Sequence, residues 1–383
     1  MKQNGLRTEN RLKNMKCDAG EKWKETAGLI LRRLFLPFAL MLLLLWQGCS
    51  LAAADLRVDF LDVGQGLAVL AESDGEYLIY DGGGRQSSSF VVSYLKSQGV
   101  GTLKYLISSH YDEDHISGLI GCLNAFDVEN VIGSDYTADS SLYESFTEGV
   151  EKQGLAVVHP SDGTTFSLGD AQFTVLTAGG GYEDGNNNSV VLRLSCGEMD
   201  FLLTGDAEAL LEQELTDSGT DLSADVLQAA HHGSGGSTSE AFLKCVSPET
   251  VVISCGLYNS YGHPHEELLE RIERQGADLY RTDKQGTIIA YSDGETISWS
   301  KEPCNDFSPG VILNGEESDG DAVLTGGMPS GSCRYVLNTN SMKFHDPDCP
   351  SVLQMKEKNR KEYSGTRGEL IAMGYEPCHN CNP

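Results

Sequence analysis

The region after residue 54 begins with short apolar segments separated by polar turns. Residues 56–60 (LRVDF) alternate apolar and polar side chains, which is typical of a half-buried strand. Residues 67–70 and 77–80 are further apolar runs, and the Asp74-Gly75 turn between them indicates a hairpin. This start predicts a meander of three strands.

Later segments change to strand–helix alternation. Residues 88–98 predict a helix, and residues 103–107 predict a buried strand that runs directly into His110. Similar segments continue to about residue 300. Hairpins followed by strand–helix alternation predict an α/β fold in which helices cover mixed sheets.

The first 54 residues have a different pattern. A basic segment ending at Arg33 precedes the thirteen apolar residues 34–46, fewer than the roughly 20 of a bilayer-spanning helix. The order of basic, apolar and small residues is that of a secretory signal. Cleavage near residues 52–54 (AAA), lipid attachment at Cys49 and an uncleaved anchor are the three alternatives. Each predicts an extracellular or cell-surface protein that contacts the membrane only through this segment or its lipid.

Residues 301–332 contain Pro, Gly and an acidic cluster but few apolar residues, which predicts a flexible acidic linker. The expected organisation is therefore a signal peptide or anchor over 1–54, a catalytic domain over 55–300, the linker, and a small module over 333–383.

Charge is unevenly distributed along the chain. The formal charge is −28 overall, but residues 1–33 carry +5, residues 55–333 carry −34 and residues 334–383 carry +1. Non-specific binding to a phosphate backbone depends on Lys and Arg. The acidity of residues 55–333 therefore argues against tight non-specific DNA binding by the catalytic domain.

Four candidate metal ligands occur within six residues after the predicted strand 103–107. They are His110, Asp112, Asp114 and His115. Imidazole and carboxylate donors suit zinc, manganese or iron. A polar turn is the alternative, but two His and two Asp at this spacing are unusual for a turn, so we predict a metal site.

Five motifs occur in a fixed order, namely residues 61–66 (LDVGQG), 80–83 (YDGG), 109–115 (SHYDEDH), 203–206 (LTGD) and 230–234 (AHHGS). In this order they resemble the metallo-β-lactamase superfamily, and within it the ComEC-type hydrolase domain of competence DNA uptake. The resemblance covers roughly residues 55–300. It implies a four-layer αβ/βα sandwich with a metal site at one edge of two facing sheets.

The same resemblance implies two divalent metal ions, zinc or manganese. It assigns His110 and Asp112 to one metal, Asp114 and His115 to the other, Asp206 to a bridge between them, and His231 or His232 to the second metal. Asp114 is also a candidate catalytic residue that orients the nucleophilic water. Asp112 stands where most members have a third His, which hardens the ligand set and favours manganese or magnesium.

Other residues are candidates for substrate contact. Most relatives place a His ligand near residues 186–189 (NNNS); the chain has none there, and Asn188 and Ser189 are candidate substrate-binding residues. Ser234 precedes a predicted helix and would bind a phosphate oxygen or cap that helix. His263, in residues 259–265 (NSYGHPH), is a candidate catalytic proton donor, with a helix-capping loop as the alternative.

The C-terminal segment contains a second group of candidate ligands. His345, Cys349, Cys378 and Cys381 have zinc-like spacing and predict one structural zinc, with a disulfide or free thiols as the alternative. Their frame resembles the Ada-like zinc domain of DNA-repair proteins. His345 stands at the methyl-accepting Cys of that family, so the resemblance favours a structural or DNA-contacting role over methyl transfer.

A basic cluster follows, formed by Lys356, Lys358, Arg360 and Lys361, and is either a DNA contact or a solvated face. Together these features predict a secreted or surface-attached metal-dependent phosphodiesterase that acts on DNA. The alternatives are a hydrolase of another ester, such as phosphocholine or a small phosphodiester, and a non-catalytic DNA- or surface-binding protein with a relict site. The sequence indicates no protein partner.

Overall fold

The computed structural model describes residues 55–312 and most of 333–381. The predicted leader, the lipid-attachment alternative at Cys49 and residues 313–332 of the predicted linker lie outside the described residues. Among the helices of the described ranges, none is long and apolar enough to cross a bilayer.

The first sheet has eight strands, in the order β15-β14-β1-β2-β3-β4-β5-β6. Strands β3 to β6 are parallel to one another and the remaining pairs are antiparallel. The strands are β1 Leu56–Phe60, β2 Val69–Ser73, β3 Glu76–Tyr80, β4 Thr102–Ile107, β5 Asp127–Ile132, β6 Val157–Val158, β14 Ile288–Ser292 and β15 Ile297–Trp299.

The second sheet has seven strands, in the order β13-β12-β11-β10-β9-β8-β7. Strands β10 to β13 are parallel, and β7 to β10 are antiparallel. The strands are β7 Thr164–Leu168, β8 Ala171–Thr177, β9 Val191–Cys196, β10 Met199–Leu203, β11 Val226–Gln228, β12 Thr250–Ile253 and β13 Asp278–Arg281.

Helices cover the outer face of each sheet. The longer helices are α1 Ser88–Ser97, α2 Glu113–Ala125 and α3 Ser141–Lys152 on the first sheet, and α4 Ala209–Asp217, α5 Glu240–Val246 and α6 Glu266–Gln275 on the second. The short elements are α7 Thr282–Gln285 and the 3-10 turns Asn186–Asn188 and Ala230–Gly233.

The apolar core lies in three layers. Phe60, Phe173 and Phe201 belong to the layer between the two sheets. Phe146 belongs to the layer under the first helices, and Phe242 to the layer under the second. Helix, sheet, sheet and helix therefore stack in that order, which confirms the predicted four-layer α/β sandwich.

Helix α6 shows how the sequence sets these layers. Leu268, Leu269 and Ile272 form its buried face, and acidic residues occupy its first turn, where the helix dipole favours them. Gly276 ends the helix at φ 79°, a left-handed conformation that glycine adopts without steric cost.

Residues 301–312 are packed on the second half of the domain. Cys304 and Phe307 contact its apolar core, and the backbone amides of Cys304 and Gly310 donate to the carbonyl oxygens of Leu279 and Pro264. The prediction of a flexible linker from residue 301 is therefore wrong for this part, because two apolar side chains and backbone hydrogen bonds hold it.

A buried ion pair anchors the same segment. Arg281 donates through Nε and Nη2 to Asp283 at 3.0 and 2.8 Å, and through Nη1 to the carbonyl oxygens of Asp306 and Ser308. Asp283 is thus the partner of a buried guanidinium.

We expect Asp283→Ala to lower the free energy of unfolding by about 3 kcal/mol, because it leaves a buried guanidinium without its carboxylate. Urea denaturation measures the effect. The exposed Glu270–Arg274 pair is the matched control, and Glu270→Ala should cost less than about 0.5 kcal/mol. Equal losses in the two variants would contradict the structural role of Asp283.

The C-terminal module, residues 333–381, has its own sheet of four strands in the order β18-β16-β17-β19. Its elements are β16 Cys333–Asn338, β17 Lys343–His345, β18 Arg360–Gly365, β19 Glu376–Pro377, the short helix α8 Pro350–Leu353 and the 3-10 turn Glu357–Asn359. Two small apolar clusters hold it, one around Phe344 and Leu370 and the other around Val336 and Val352.

Candidate metal centre

The candidate ligands follow the carboxyl ends of parallel strands. Asp81 follows β3 and His110 follows β4 in the first sheet, whereas Asp206 follows β10 and His232 follows β11 in the second. Strand ends at one edge of a parallel sheet converge, and this edge is where α/β proteins bind ligands. The two sheets therefore present their polar residues to one point.

Asp81 fixes the first-sheet side of the centre. Its carboxylate accepts hydrogen bonds from the Ser109 amide at 2.7 Å and the Ser109 hydroxyl at 2.6 Å. It also lies 2.8 Å from His115 Nδ1. A carboxylate on one ring nitrogen orients the other nitrogen as a ligand. Asp81 thus directs His115 Nε2 into the centre.

Asp206 lies between two imidazoles. Its Oδ2 atom is 3.2 Å from His115 Nε2 and 3.3 Å from His232 Nε2. His232 Nε2 is also 3.2 Å from Asp114 Oδ2. His232 donates through Nδ1 to the carbonyl oxygen of Ser254, so its Nε2 faces the carboxylates. Asp206, His115, His232 and Asp114 thus form one connected group of four donors.

The backbone that carries His232 is in an uncommon conformation. His231 has φ 51° and His232 has φ 55°, two consecutive non-glycine residues in the left-handed region. This conformation costs of order 1 kcal/mol or more per residue and clusters at functional sites. It aims the His232 ring at Asp206 and leaves His231 Nδ1 3.1 Å from Glu208.

Two atoms of the centre are buried without a hydrogen-bond partner, namely His110 Nε2 and Asp206 Oδ1. Burying an unsatisfied polar atom is costly, so such atoms call for a ligand. Zinc bonds of about 2.0–2.1 Å place two ligands of one ion about 3.3 Å apart, close to the donor separations here. The residues fit a divalent metal.

The donors form two overlapping groups that share His115. His110, His115 and Asp206 make up one, and Asp114, His115 and His232 make up the other. Within each group the donor atoms lie within 4.8 Å of one another. This differs from the expected assignment, since His115 belongs to both groups and His232 rather than His231 joins the second.

Asp112 belongs to neither of these groups. Its side chain is 58% exposed, and its Oδ2 atom lies 3.7 Å from His110 Nε2, which is beyond hydrogen-bond distance but within the spacing of two ligands of one ion. It is the residue immediately before helix α2. A ligand role for Asp112 stays a prediction.

The charges in the centre depend on one another. Burial would raise the pKa of Asp206, but the charges of His115 and His232 hold it well below its usual range. Burial would lower the pKa of His232, but Asp206 and Asp114 raise it to about 9. In the same way Asp206 and Asp81 raise the pKa of His115 despite its burial. A bound divalent cation would replace these protons as the positive charge among the carboxylates.

His263 lies beside the centre. Its ring centroid is 5.6 Å from that of His231, and its Nδ1 atom is 3.4 Å from Gln65 Nε2. Burial, followed by the charges of His232 and His231, lowers the pKa of His263 to about 3. The neutral imidazole therefore dominates at neutral pH. It favours hydrogen bonding to substrate over general acid catalysis, and the proton-donor role stays a prediction.

Three predicted substrate contacts have other partners. The Asn188 amide is buried and bonds to the backbone of Tyr182 and Asp184, and the buried Ser189 hydroxyl accepts from the Asp206 amide. The Ser234 hydroxyl accepts from Gly236, and Ser239, not Ser234, caps helix α5. Asn188 and Ser189 therefore support the loop beside Asp206 rather than face substrate.

The C-terminal module brings its four predicted ligands together. The donor atoms of His345, Cys349, Cys378 and Cys381 lie within 4.8 Å of one another. Neither ring nitrogen of His345 has a hydrogen-bond partner, and Cys349 and Cys378 are buried beside it. The donor set fits a structural zinc, which requires free thiolates and an unengaged imidazole.

The residues that support the ligands carried weaker sequence signals. Asp81 lies within the recognised motif 80–83, but its contact with His115 depends on the tertiary fold. Glu208 was not identified, because it reaches a histidine distant in the chain. Gln65 lies within the motif 61–66, but its contact with His263 depends on the tertiary fold.

Comparison with known proteins agrees with this geometry. A family model described as the metallo-beta-lactamase superfamily matches residues 61–257. The chain is 32% identical over 251 residues to ComE operon protein 3 of Bacillus subtilis, covering 61% of this chain and 32% of that protein. It is 34% identical over 237 residues to Recombination protein 2 of Haemophilus influenzae, covering 61% and 28%.

The chain thus spans about a third of the length of the curated relatives it matches. Among solved structures, the metallo-beta-lactamase fold protein YhfI from Bacillus subtilis aligns with a TM-score of 0.44 and 16% identity over 62% of this chain and all of that chain. From the family match, the chain belongs to the metallo-β-lactamase superfamily, as a hydrolase of that fold related to competence proteins.

Proposed function

We propose that the protein is a metal-dependent phosphodiesterase that cleaves DNA. The observation that carries the proposal is the cluster of imidazole and carboxylate donors at the common edge of two sheets, in which Asp206 Oδ2 lies within 3.3 Å of His115 Nε2 and His232 Nε2. Two-metal sites built from such donors are common among phosphatases and nucleases. Similarity to competence proteins over about 60% of the chain supports DNA as the substrate class.

The divalent ions, when bound, lower the pKa of a coordinated water and offset the charge of the phosphodiester. The protein's own residues position these groups. Asp81 and Ser109 fix the His115 ring, and the Ser254 carbonyl fixes the His232 ring. Their burial excludes competing water and keeps the ring nitrogens directed at one point.

DNA binding in an acidic domain needs a source of affinity other than surface charge. Tyr261 offers one, since it is 61% exposed and stacks on His263 at 5.5 Å with an interplanar angle of 21°. Stacking of a base on an aromatic ring contributes about 1–3 kcal/mol and does not require positive charge. We assign Tyr261 to base stacking at the rim of the metal centre.

Tyr261→Ala tests this assignment. We expect the KM for a single-stranded oligonucleotide to rise about tenfold, since one stacking contact is lost. An oligonucleotide of abasic residues should be cleaved equally by wild type and variant. Tyr291, 41% exposed in β14, provides the matched control, and Tyr291→Ala should leave both substrates unaffected. An unchanged KM in Tyr261→Ala would exclude base stacking at this position.

Hydrolysis of another ester is the second candidate, and the charge of −34 on residues 55–333 favours it. The two candidates are separated by incubating the protein with manganese or zinc and, in turn, DNA and a phosphocholine ester. Degraded DNA with intact ester supports the first, and the converse supports the second. DNA retention on a column without any turnover would support a non-catalytic binding protein.

We further propose that the catalytic domain acts outside the cytoplasm. The support is the order of a basic, an apolar and a small-residue segment within residues 1–54.

The basic cluster of Lys356, Lys358, Arg360 and Lys361 is largely exposed in the C-terminal module and is available to contact a phosphate backbone.

A further inference from the structure

The C-terminal module contacts the catalytic domain through a buried charge. Arg367 Nη2 lies 2.9 Å from Asp62 Oδ2, and the two side chains are 10% and 0% exposed. Asp62 is the second residue of the motif 61–66. A cation from the module thus pairs with a buried carboxylate of the recognised catalytic motif.

Arg367 favours the charged form of Asp62. Burial raises the pKa of Asp62 and Asp283 adds to this effect, whereas Arg367, the Gly64 amide and Lys301 lower it. Its Oδ1 atom accepts a hydrogen bond from the Gly64 amide at 3.2 Å. This bond closes the turn formed by residues 62–66, which we call the 62–66 loop. A buried carboxylate that organises a turn in this way needs a positive partner.

The 62–66 loop lies directly against the metal centre. The Leu67 amide, at its end, donates to the Asp114 carbonyl oxygen at 3.2 Å. Gly66 has φ 135°, and a Cβ atom there would lie 2.5 Å from that same oxygen. The loop therefore packs tightly against the backbone of Asp114, a candidate metal ligand.

The loop also reaches two histidines. The Gly66 carbonyl oxygen accepts from the Ser254 hydroxyl at 2.9 Å, and Ser254 in turn accepts from His232 Nδ1. Gln65 Nε2 lies 3.4 Å from His263 Nδ1. A shift of the loop would thus alter the positions of His232 and His263 as well as that of Asp114.

The fold of the module fixes Arg367. Leu370, three residues further on, is fully buried against Tyr335, Leu337 and Phe344. Phe344 immediately precedes the candidate zinc ligand His345 in β17. Arg367 can therefore hold its position only when the module is folded.

We propose that Arg367 is a positioning residue of the catalytic domain, supplied by the C-terminal module, which holds the 62–66 loop against the metal centre through Asp62. The module then supports hydrolysis of every substrate, small esters included. The effect on turnover rests on the proposed phosphodiesterase function, whereas the effect on the loop does not.

Hydrogen–deuterium exchange of the full chain tests the contact without any substrate. In Arg367→Gln, the amides of Gly64 and Leu67 should exchange about tenfold faster than in wild type. This change lies in the upper part of the range of coupling energies that single substitutions alter. Arg334→Gln, an equal charge change at an exposed position of β16, should match wild type. Zinc analysis of each variant verifies that the module is folded.

A double-mutant cycle with Asp62→Asn assigns the effect to the ion pair. In the Asp62→Asn background, Arg367→Gln should cause no further change in exchange, and Arg367→Lys alone should recover part of the wild-type protection. Unchanged exchange in Arg367→Gln overturns the proposal. So does an equal change in both backgrounds, or the same change in Arg334→Gln. If Arg367→Gln loses its zinc, Arg367→Lys takes its place in the double-mutant cycle.

Turnover of a small phosphodiester supplies the second readout. Arg367→Gln should lower kcat about tenfold, as for residues that support metal ligands, while KM stays within about twofold. A rise in KM with an unchanged kcat would overturn the positioning role. If wild type hydrolyses no phosphodiester, the proposed function fails, and the exchange measurements still decide the contact.

Discussion

Asp206→Ala is expected to abolish hydrolysis, by about a thousandfold or more, while the fold remains intact. Asp206 Oδ2 lies within 3.3 Å of both His115 and His232, and its Oδ1 atom is buried without a hydrogen-bond partner. Removing this carboxylate takes an anionic ligand from between two imidazoles. Metal stabilisation of the transition state is worth several kcal/mol, and each 1.4 kcal/mol is about tenfold in rate.

Three measurements check this expectation. Elemental analysis should show a lower metal content in Asp206→Ala, turnover with saturating manganese should remain undetectable, and circular dichroism should match wild type. Asp217→Ala at the exposed end of helix α4 is the control and should keep full activity. Full activity in Asp206→Ala would refute a two-metal centre built around this residue.

Cys378→Ser should remove the metal from the C-terminal module and unfold it. Cys378 is a buried member of a four-ligand group. Supporting residues alone alter metal affinity about 10–100-fold, so loss of a direct ligand should lower zinc affinity by more than about a hundredfold. Because the module has only two small apolar clusters, it depends on the metal for its fold.

Zinc stoichiometry and limited proteolysis measure this outcome. The variant should lose one zinc per chain, and residues 333–383 should become sensitive to protease while residues 55–312 stay resistant. Cys245 is exposed and lies outside both ligand groups, so Cys245→Ser should retain the metal. Zinc bound with wild-type affinity in Cys378→Ser would show that the cluster is not a metal site.

The sequence was most informative where a motif coincides with a strand end. His110 and Asp206 follow buried strands, and His115 lies in the first turn of the helix after β4, so their placement at one sheet edge follows from the strand pattern together with the family resemblance. The four-layer architecture was predictable for the same reason, because the resemblance fixed the order of strands and helices.

Details that depend on backbone angles were not predictable. His231 and His232 are adjacent and chemically identical, and the left-handed conformation of both places His232 Nε2 at 3.3 Å and His231 Nε2 at 3.9 Å from Asp206 Oδ2. The partial exposure of Asp112 likewise depends on the backbone at the start of helix α2. Neither feature changes the hydrophobic pattern of the chain.

Contacts between distant segments were also beyond the sequence pattern. Residues 301–312 have a polar composition typical of a linker, yet Phe307 and the carbonyl oxygens bound by Arg281 hold them. Nothing local to Arg367 indicates that it reaches Asp62. Such pairings depend on how separately predicted units pack, which periodicity does not encode.

The division of ligands between the two sheets has a thermodynamic consequence. His115 is anchored in the first sheet by Asp81, whereas Asp206 and His232 extend from the second, so an ion held by these residues would join the two halves of the sandwich. An ion that binds only the folded state adds to folding stability in proportion to the logarithm of its concentration once that exceeds the dissociation constant. Metal supply would therefore set how firmly the two halves of the domain are joined, as well as the rate of turnover.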